Sequence, residues 1–227
     1  MLKNNRALSL ALPIMLGYAP VAWTFGLLAF QQKVGIGMTM AFSMLVYAGS
    51  AQFAALGAIG AGIVSFPQVF VMVFLINLRH FMLSLAYLPN VKTWSPLQKL
   101  RLFSILTDEN FAVLAGSDDV KRDPKTSYAV SLFTYGTWAT FTLIGYCFGT
   151  FVPNTKALGL DFALSAMFIG IIVLFLNSLE QAVALVSAIL FMMFFYFVLD
   201  CGRSSVIVAA LLASLIGWRV ECRRKTV

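Results

Sequence analysis

The stretch Phe66–Pro89, FPQVFVMVFLINLRHFMLSLAYLP, decides how the rest of the chain is interpreted. It is long and apolar enough to cross a bilayer, which takes a helix of about 20 residues. Its middle nevertheless carries Asn77, Arg79 and His80, and His80 is the only histidine in the sequence. A charged side chain at the bilayer centre costs at least about 2.5–3.5 kcal/mol on insertion scales. Such residues persist where they face a protein interior or a water path, so they mark a candidate substrate or ion route.

The composition is that of an integral membrane protein. Of the 227 residues, 60% are hydrophobic and 11% are charged, whereas about a quarter of the residues in a soluble domain are charged. The sequence therefore predicts one all-helical, polytopic transmembrane domain over residues 1–227. Basic residues flank the first and last spans, which predicts that both termini are cytoplasmic and explains the net charge of +7 without nucleic acid. These residues are Lys3, Arg6, Arg219, Arg223, Arg224 and Lys225.

No motif for catalysis, metal binding or nucleotide binding is present in the sequence. The three cysteines, Cys147, Cys201 and Cys222, have neither CxxC spacing nor a histidine nearby, so they do not indicate a metal site or a disulfide framework. HExxH, GxSxG and GxxxxGK[ST] are all missing. We therefore expect no enzyme, no cofactor and no ATP-driven step. A remote alternative is an intramembrane enzyme in which Ser50 and His80 act as nucleophile and base, but no motif supports this pair.

Two segments carry signals for a helix interruption at membrane depth. In the first span, Pro20 removes a backbone donor and clashes with the preceding turn, so we expect a kink or break around residues 17–20. In the second region, residues 35–65, Gly49 and Ser50 precede a fresh helical run. That second half-helix would present its N–H groups and positive dipole end to an anion. Simple helix kinking and close packing of small residues remain the alternatives.

Residues 97–115, LQKLRLFSILTDENFAVLA, form a more polar stretch with helical spacing of apolar residues. The stretch fits either an amphipathic helix in the membrane interface or a polar span that faces the bundle interior. It contains the adjacent acids Asp108 and Glu109, which point about 100° apart on a helix. At most one of them can therefore face a given cavity.

Two topologies fit the hydrophobic segments, of which there are six to eight. Eight crossings place Lys92, Lys99 and Arg101 outside, against the positive-inside rule. If residues 35–65 instead form a re-entrant hairpin and residues 97–115 do not span, six crossings remain and every basic loop is inside. A similarity between residues 18–26 and 128–136 also suggests an internal repeat, with halves 1–116 and 125–220. Transporters often place their binding site between such halves.

Arg79 and His80 suggest two kinds of chemistry. The planar fork of an arginine can hold a carboxylate through two parallel hydrogen bonds. Arg79 therefore either contacts an anionic substrate or pairs internally with Asp108 or Glu109 and braces the bundle. Histidine titrates near physiological pH, so His80 is a candidate to carry a coupling proton.

Five motifs occur in order along almost the whole chain. They are Pro13–Tyr18 with Phe25-Gly26, Tyr47–Phe53, Ile76–His80, Leu106–Phe111 and Gly159–Leu164. Together they resemble the AzlC family, the large permease subunit of bacterial branched-chain amino acid exporters. The resemblance implies export of valine, leucine, isoleucine and, in some members, methionine across the inner membrane. It also implies a small AzlD-like membrane partner and coupling to the proton gradient; a channel or scaffold subunit is the alternative.

A branched-chain amino acid requires a carboxylate site, an ammonium site and an apolar pocket. Arg79, or the helix interruption near Gly49, is predicted to hold the carboxylate. Asp108 or Glu109, or carbonyls freed at Pro20, are predicted to hold the ammonium, with Phe and Leu side chains as the pocket. The predicted substrate-binding residues are Tyr18, Pro20, Gly49, Ser50, Gln52, Asn77 and Arg79. The residues predicted for proton coupling or ion pairing are His80, Asp108 and Glu109.

Overall fold

The computed structural model of the chain describes residues 2–60, 62, 65–117, 120, 123–152, 162, 169, 172–173, 176, 178–199 and 204–225. These residues are helical with short connections, and none of them forms a strand, which confirms the predicted all-helical class. The chain divides into two compact units, Met1–Ile169 and Gly170–Val227. The predicted span over residues 161–176 and the motif at residues 159–164 lie outside the described residues, apart from isolated positions.

The first unit begins with one long helix, α1 (Leu2–Gln31), that includes both Pro13 and Pro20. The predicted break around residues 17–20 is therefore wrong. The missing N–H of Pro20 would otherwise donate to the Leu16 carbonyl one turn earlier, and the Thr24 hydroxyl donates to the Pro20 carbonyl at 2.8 Å one turn later. A proline in a transmembrane helix is tolerated where neighbouring groups satisfy the freed backbone.

The second hydrophobic region is interrupted, as the sequence predicts. Helix α2 (Ile36–Ala41) continues into a π-helical turn at Phe42–Val46, and α3 (Gly49–Gly60) begins after a gap of two residues. At the interruption Tyr47 has a φ of 43°, a left-handed conformation that is rare for a bulky residue. The Tyr135 hydroxyl donates to the Met44 carbonyl at 2.9 Å, so the later helix α7 (Pro124–Cys147) satisfies one of the carbonyls of the π-helical turn.

Two short helices replace the single helix expected over residues 97–115. Each has eight residues, which makes it about 12 Å long, less than half of the roughly 30 Å hydrocarbon core. The chain turns between them because the Thr107 side chain caps the second helix by accepting from the Asn110 N–H at 3.3 Å. The remaining helices of the first unit are α4 (Phe66–Tyr87), α5 (Pro96–Phe103), α6 (Asp108–Ala115) and α7 (Pro124–Cys147), with 3-10 turns at Leu88–Val91 and Phe148–Thr150.

Helices α1 and α4 run in opposite directions within the first unit. At one end, Ala7 and Ala11 of α1 share a buried apolar cluster with Tyr87 of α4 and with Val91 just beyond it. At the other end, a cavity of about 610 Å³ is bordered by the residues directly after α1, by α2 and the π-helical turn, by the last part of α3 and by the start of α4. The segment that contains α2 and α3 therefore starts and finishes at the same end of the unit.

Three stretches of the described residues are long and apolar enough to cross a membrane: Arg6–Gln31, Phe66–Val91 and Leu179–Val198. The last belongs to the second unit, where α8 (Leu179–Met193) continues into a π-helical turn at Phe194–Val198 and α9 (Ser204–Lys225) follows. Within this unit, a methyl group added at Gly217 would lie 2.9 Å from the Ala184 Cβ, so small residues allow α9 to approach α8. The internal repeat, the halves 1–116 and 125–220 and the number of crossings stay predictions.

Candidate functional site

A small polar cavity lies between α1, the α2–α3 interruption, α4, α6 and α7. Its volume is about 20 Å³, room for about one water molecule and far below the roughly 300–1,000 Å³ of ordinary ligand pockets. It brings together six of the ten residues predicted for binding or coupling. The complete lining is Tyr18, Tyr47, Ala48, Gly49, Ser50, Arg79, His80, Thr107, Glu109 and Trp138.

Glu109 is the buried acid of this cavity, with 8% of its surface exposed. The Tyr18 hydroxyl lies 2.6 Å from Glu109 Oε2 and 2.8 Å from Thr107 Oγ1. Because a phenol has a single hydrogen, Tyr18 donates to a charged Glu109 and accepts from Thr107. With a protonated Glu109 the chain reverses, since Glu109 then donates to Tyr18 and Tyr18 donates to Thr107. The same contacts therefore accommodate Glu109 with and without a proton.

Arg79 forms an ion pair with Asp108, with 2.6 Å between Nη1 and Oδ2. Arg79 lines the cavity, whereas Asp108 does not. Both side chains are about one-third exposed, at 33% and 27%. The pair thus joins α4 to the first turn of α6 at the edge of the cavity. The sequence left an internal pair as one of two roles for Arg79, and the structure contains that pair with Asp108.

The two ring nitrogens of His80 have different surroundings: one is hydrogen-bonded, and the other has no partner among the described residues. Its Nδ1 lies 3.0 Å from the Leu106 carbonyl oxygen, which can only accept, so Nδ1 carries a hydrogen. The Nε2 atom is buried and has no hydrogen-bond partner among the described residues. In the neutral ring this Nε2 is an acceptor, and a second proton would make it a donor.

The first turn of α3 supplies hydrogen-bond donors. Gly49 and Ser50 both line the cavity, and the first N–H groups of a helix have no acceptor within it. The Ser50 hydroxyl oxygen is also buried without a partner among the described residues. The first residues of α3 therefore bring the positive end of the helix dipole and the Ser50 hydroxyl to the lining of the cavity.

Four predicted residues lie outside the cavity: Pro20, Gln52, Asn77 and Asp108. Pro20 is exposed on α1. Gln52 is fully buried, and its Nε2 donates to Ser43 Oγ at 3.1 Å. Asn77 has a buried Oδ1 without a partner in the described part of the chain, but it does not line the cavity.

Sequence reasoning missed Tyr47, Ala48, Thr107 and Trp138 as lining residues. Three of them fall inside the quoted motifs Tyr47–Phe53 and Leu106–Phe111, so those motifs carried a signal. No sequence signal pointed to Trp138, since a single tryptophan in a span indicates only a large apolar side chain. The expected Phe and Leu pocket is also not at this cavity, since none of its lining residues is Phe or Leu. The Tyr18 and Trp138 rings pack edge to face, with centroids 5.0 Å apart.

A second polar network fixes the wall on the α7 side. Asn110 Nδ2 donates to Thr134 Oγ1 at 3.0 Å, and the Tyr47 hydroxyl lies 3.3 Å from the same oxygen. Helices α6 and α7 thereby hold the strained Tyr47 in place. No group of three His, Cys, Asp or Glu side chains among the described residues is arranged to hold a metal ion.

Comparisons with known proteins match the part of the chain that contains the cavity. A family model described as "AzlC protein" matches residues 13–152. An uncharacterized membrane protein of Archaeoglobus fulgidus is 29% identical over 220 residues, which cover 96% of this chain and 95% of the relative. An uncharacterized membrane protein of Helicobacter pylori is 30% identical over 172 residues, 74% of this chain and 72% of the relative. No solved structure matches the chain.

Proposed function

The chain belongs to the AzlC family of membrane proteins, and from that premise we propose that it exports branched-chain amino acids across the bacterial inner membrane. Valine, leucine and isoleucine are the proposed substrates, with methionine as a further one. The chain acts as the large subunit beside a small AzlD-like membrane partner. The observation that carries the proposal is one cavity shared by the interrupted-helix residues Gly49 and Ser50 and the buried Glu109.

An α-amino acid has two charged ends that match this arrangement. The α3 N-terminus and the Ser50 hydroxyl suit the carboxylate, as broken helices do in other transporters. Glu109 suits the ammonium, because it is the acidic side chain that lines the cavity. Arg79 already holds Asp108, which supports a bracing role rather than direct contact with substrate. The aromatic rings of Tyr18 and Trp138 are left to pack against the aliphatic side chain.

The closed cavity must widen to admit an amino acid, and α4 is the wall best placed to move. Every residue of α4 is described, and only Tyr87, near its end, is buried. In its middle, the Arg79–Asp108 pair and the His80–Leu106 hydrogen bond connect α4 to the segment around α6. We propose that these two contacts close the cavity and break when it opens.

Exchanging the charges of the Arg79–Asp108 pair separates bracing from substrate binding. Arg79→Asp and Asp108→Arg each place like charges together, a repulsion of a few kcal/mol at the effective dielectric near a protein surface, so each single variant is expected to lower export about tenfold or more. The double variant restores the attraction and is expected to recover a large part of the export. Export of radiolabelled leucine at matched membrane levels is the measurement. A double variant as inactive as the singles would contradict bracing and favour substrate contact by Arg79.

The proposed topology is the six-crossing one with a re-entrant α2–α3 hairpin. Its support is that α1 and α4 run in opposite directions, and the segment between them begins and finishes at one end. Helices α5 and α6 are too short to span. Leu102 of α5 shares the buried cluster of Ala7 and Ala11, so the basic residues around α5 belong to the side of the N-terminus. The positive-inside rule makes that side cytoplasmic.

Single-cysteine labelling tests this topology. A cysteine at Lys92, in an otherwise cysteine-free chain, is expected to react with an impermeant maleimide only after the membrane is opened. A cysteine at Lys33 is the matched control, because it is exposed just beyond the opposite end of α1. It is expected to react in intact cells. Labelling of position 92 from outside would instead support eight crossings.

Coupling to the proton gradient is proposed to use Glu109. The hydrogen-bond chain through Glu109, Tyr18 and Thr107 accommodates both protonation states, and His80, whose Nε2 has no partner among the described residues, lines the same cavity. A site that binds either a proton or a substrate ammonium can exchange one for the other.

An efflux assay tests the export proposal. Cells loaded with a valine-containing dipeptide release valine, and we expect deletion of this subunit, with its partner intact, to abolish uphill release. Unchanged release would contradict the proposal. Collapse of the proton gradient is expected to stop uphill efflux, whereas a channel would continue to conduct downhill only. The closed cavity does not favour the channel alternative.

A further inference from the structure

Trp138 of α7 is an unexpected wall of the cavity. It is 2% exposed, and its ring packs edge-on against Tyr18 at an interplanar angle of 79°. Its Nε1 is buried and has no hydrogen-bond partner within the described residues. A buried N–H without a partner costs free energy, and a phenylalanine would fill much of the same space without that cost. A tryptophan here is therefore explained if something that enters the cavity accepts the bond.

The polar groups of the residues that line the cavity divide into donors and acceptors. An indole N–H can only donate, the Ser50 hydroxyl can donate, and the first N–H groups of α3 also donate. On the acceptor side are His80 Nε2 in its neutral form and the carboxylate of Glu109. One cavity thus has donors for an oxyanion and acceptors for an ammonium.

We propose that Trp138 Nε1–H, together with the Ser50 hydroxyl and the first N–H groups of α3, binds the carboxylate of an α-amino acid and makes the cavity select amino acids over the corresponding amines. This assignment rests on the proposed export of amino acids and names a specificity-determining residue for it. Trp138 acts through the substrate carboxylate, whereas Glu109 acts through the ammonium. Loss of the indole N–H therefore affects only ligands that carry a carboxylate.

Competition by two ligands that share an amine and the same aliphatic chain, of which only one has a carboxylate, tests the assignment. The full chain and its small partner are reconstituted in proteoliposomes, and export of radiolabelled leucine is measured. The competitors are unlabelled leucine and isoamylamine, which is leucine without its carboxylate. In wild type, leucine is expected to compete at least tenfold better than the amine. In Trp138→Phe, competition by leucine is expected to weaken about tenfold and competition by isoamylamine to stay within twofold. Thermal stability is expected to be unchanged or higher, because an unsatisfied donor has been removed.

Two further variants keep the test decisive. Trp23→Phe, at a tryptophan that does not line the cavity, is the matched control and is expected to behave as wild type. Ser50→Ala removes the second donor and is expected to lower the leucine preference in the same direction, so it decides the test if Trp138→Phe does not fold. An unchanged preference for leucine in the folded variants would overturn the assignment and leave the export proposal intact. A wild-type protein that neither binds nor exports leucine would overturn the proposed function itself.

Discussion

Replacing Glu109 by glutamine is expected to reduce leucine export at least about 30-fold while the protein accumulates normally in the membrane. Glutamine keeps the size of the side chain and an oxygen that accepts from Tyr18, so the packing of α6 against α1 is retained. The variant loses the negative charge that would pair with the substrate ammonium. Loss of one partner from a buried, hydrogen-bonded charge pair costs about 2–5 kcal/mol. Efflux of radiolabelled leucine at matched protein levels measures the effect.

The adjacent acid provides the control for this variant. Asp108→Asn makes the same chemical change one residue away, but Asp108 lies outside the cavity and is partly exposed in its pair with Arg79. Partly exposed pairs contribute about 0.2–1 kcal/mol, so we expect at most about a fivefold loss of export. If the two variants were equally active, or if Asp108→Asn were the more damaging, Glu109 would not be the substrate-binding acid.

Replacing Gly145 by alanine is expected to prevent native packing of the first unit. A methyl group at this position would overlap the backbone of Trp23 on α1, and a methyl group at Gly26 would overlap the backbone of Thr142 on α7. Backbone cannot move aside as the end of a flexible side chain can, so the cost is expected to exceed the roughly 1–3 kcal/mol of ordinary overpacking. We expect most of the protein to be lost from the monodisperse peak in size-exclusion chromatography of a fluorescent fusion.

Gly136→Ala is the matched control for that prediction. It lies on the same helix, and a methyl group added there has open space around it. Its elution profile and thermal stability are expected to equal those of wild type. Normal folding of Gly145→Ala would show that α1 and α7 do not approach through these glycines.

Features with local causes were predictable from the sequence. The interruption before α3 follows from Gly49 and Ser50 at the start of a helical run, and the structure has it there. The polar residues in the middle of α4 indicated an interior site, and Arg79 and His80 both line the cavity. The adjacent acids were expected to face different surroundings, and only Glu109 faces the cavity.

Features with distant causes were not predictable. Pro20 was expected to kink or break the first span, and the structure has no break there, because α1 continues through it to Gln31. Gly26 and Gly145 are separated by most of the first unit in sequence, and nothing near either one indicates its partner. Trp138 is a candidate only because the fold places it, with an N–H that has no partner among the described residues, in the lining of the same cavity as the α3 N-terminus.

Substrate protection of a cysteine at Ser50 tests most directly whether the amino acid binds in this cavity. In a cysteine-free chain assembled with its partner, Ser50→Cys is labelled by a small thiol reagent with and without saturating leucine. Binding in the cavity predicts that leucine slows labelling at position 50, and that labelling of a cysteine at Lys33 is unaffected. Equal labelling rates at position 50 with and without leucine, in protein that still exports leucine, would contradict it.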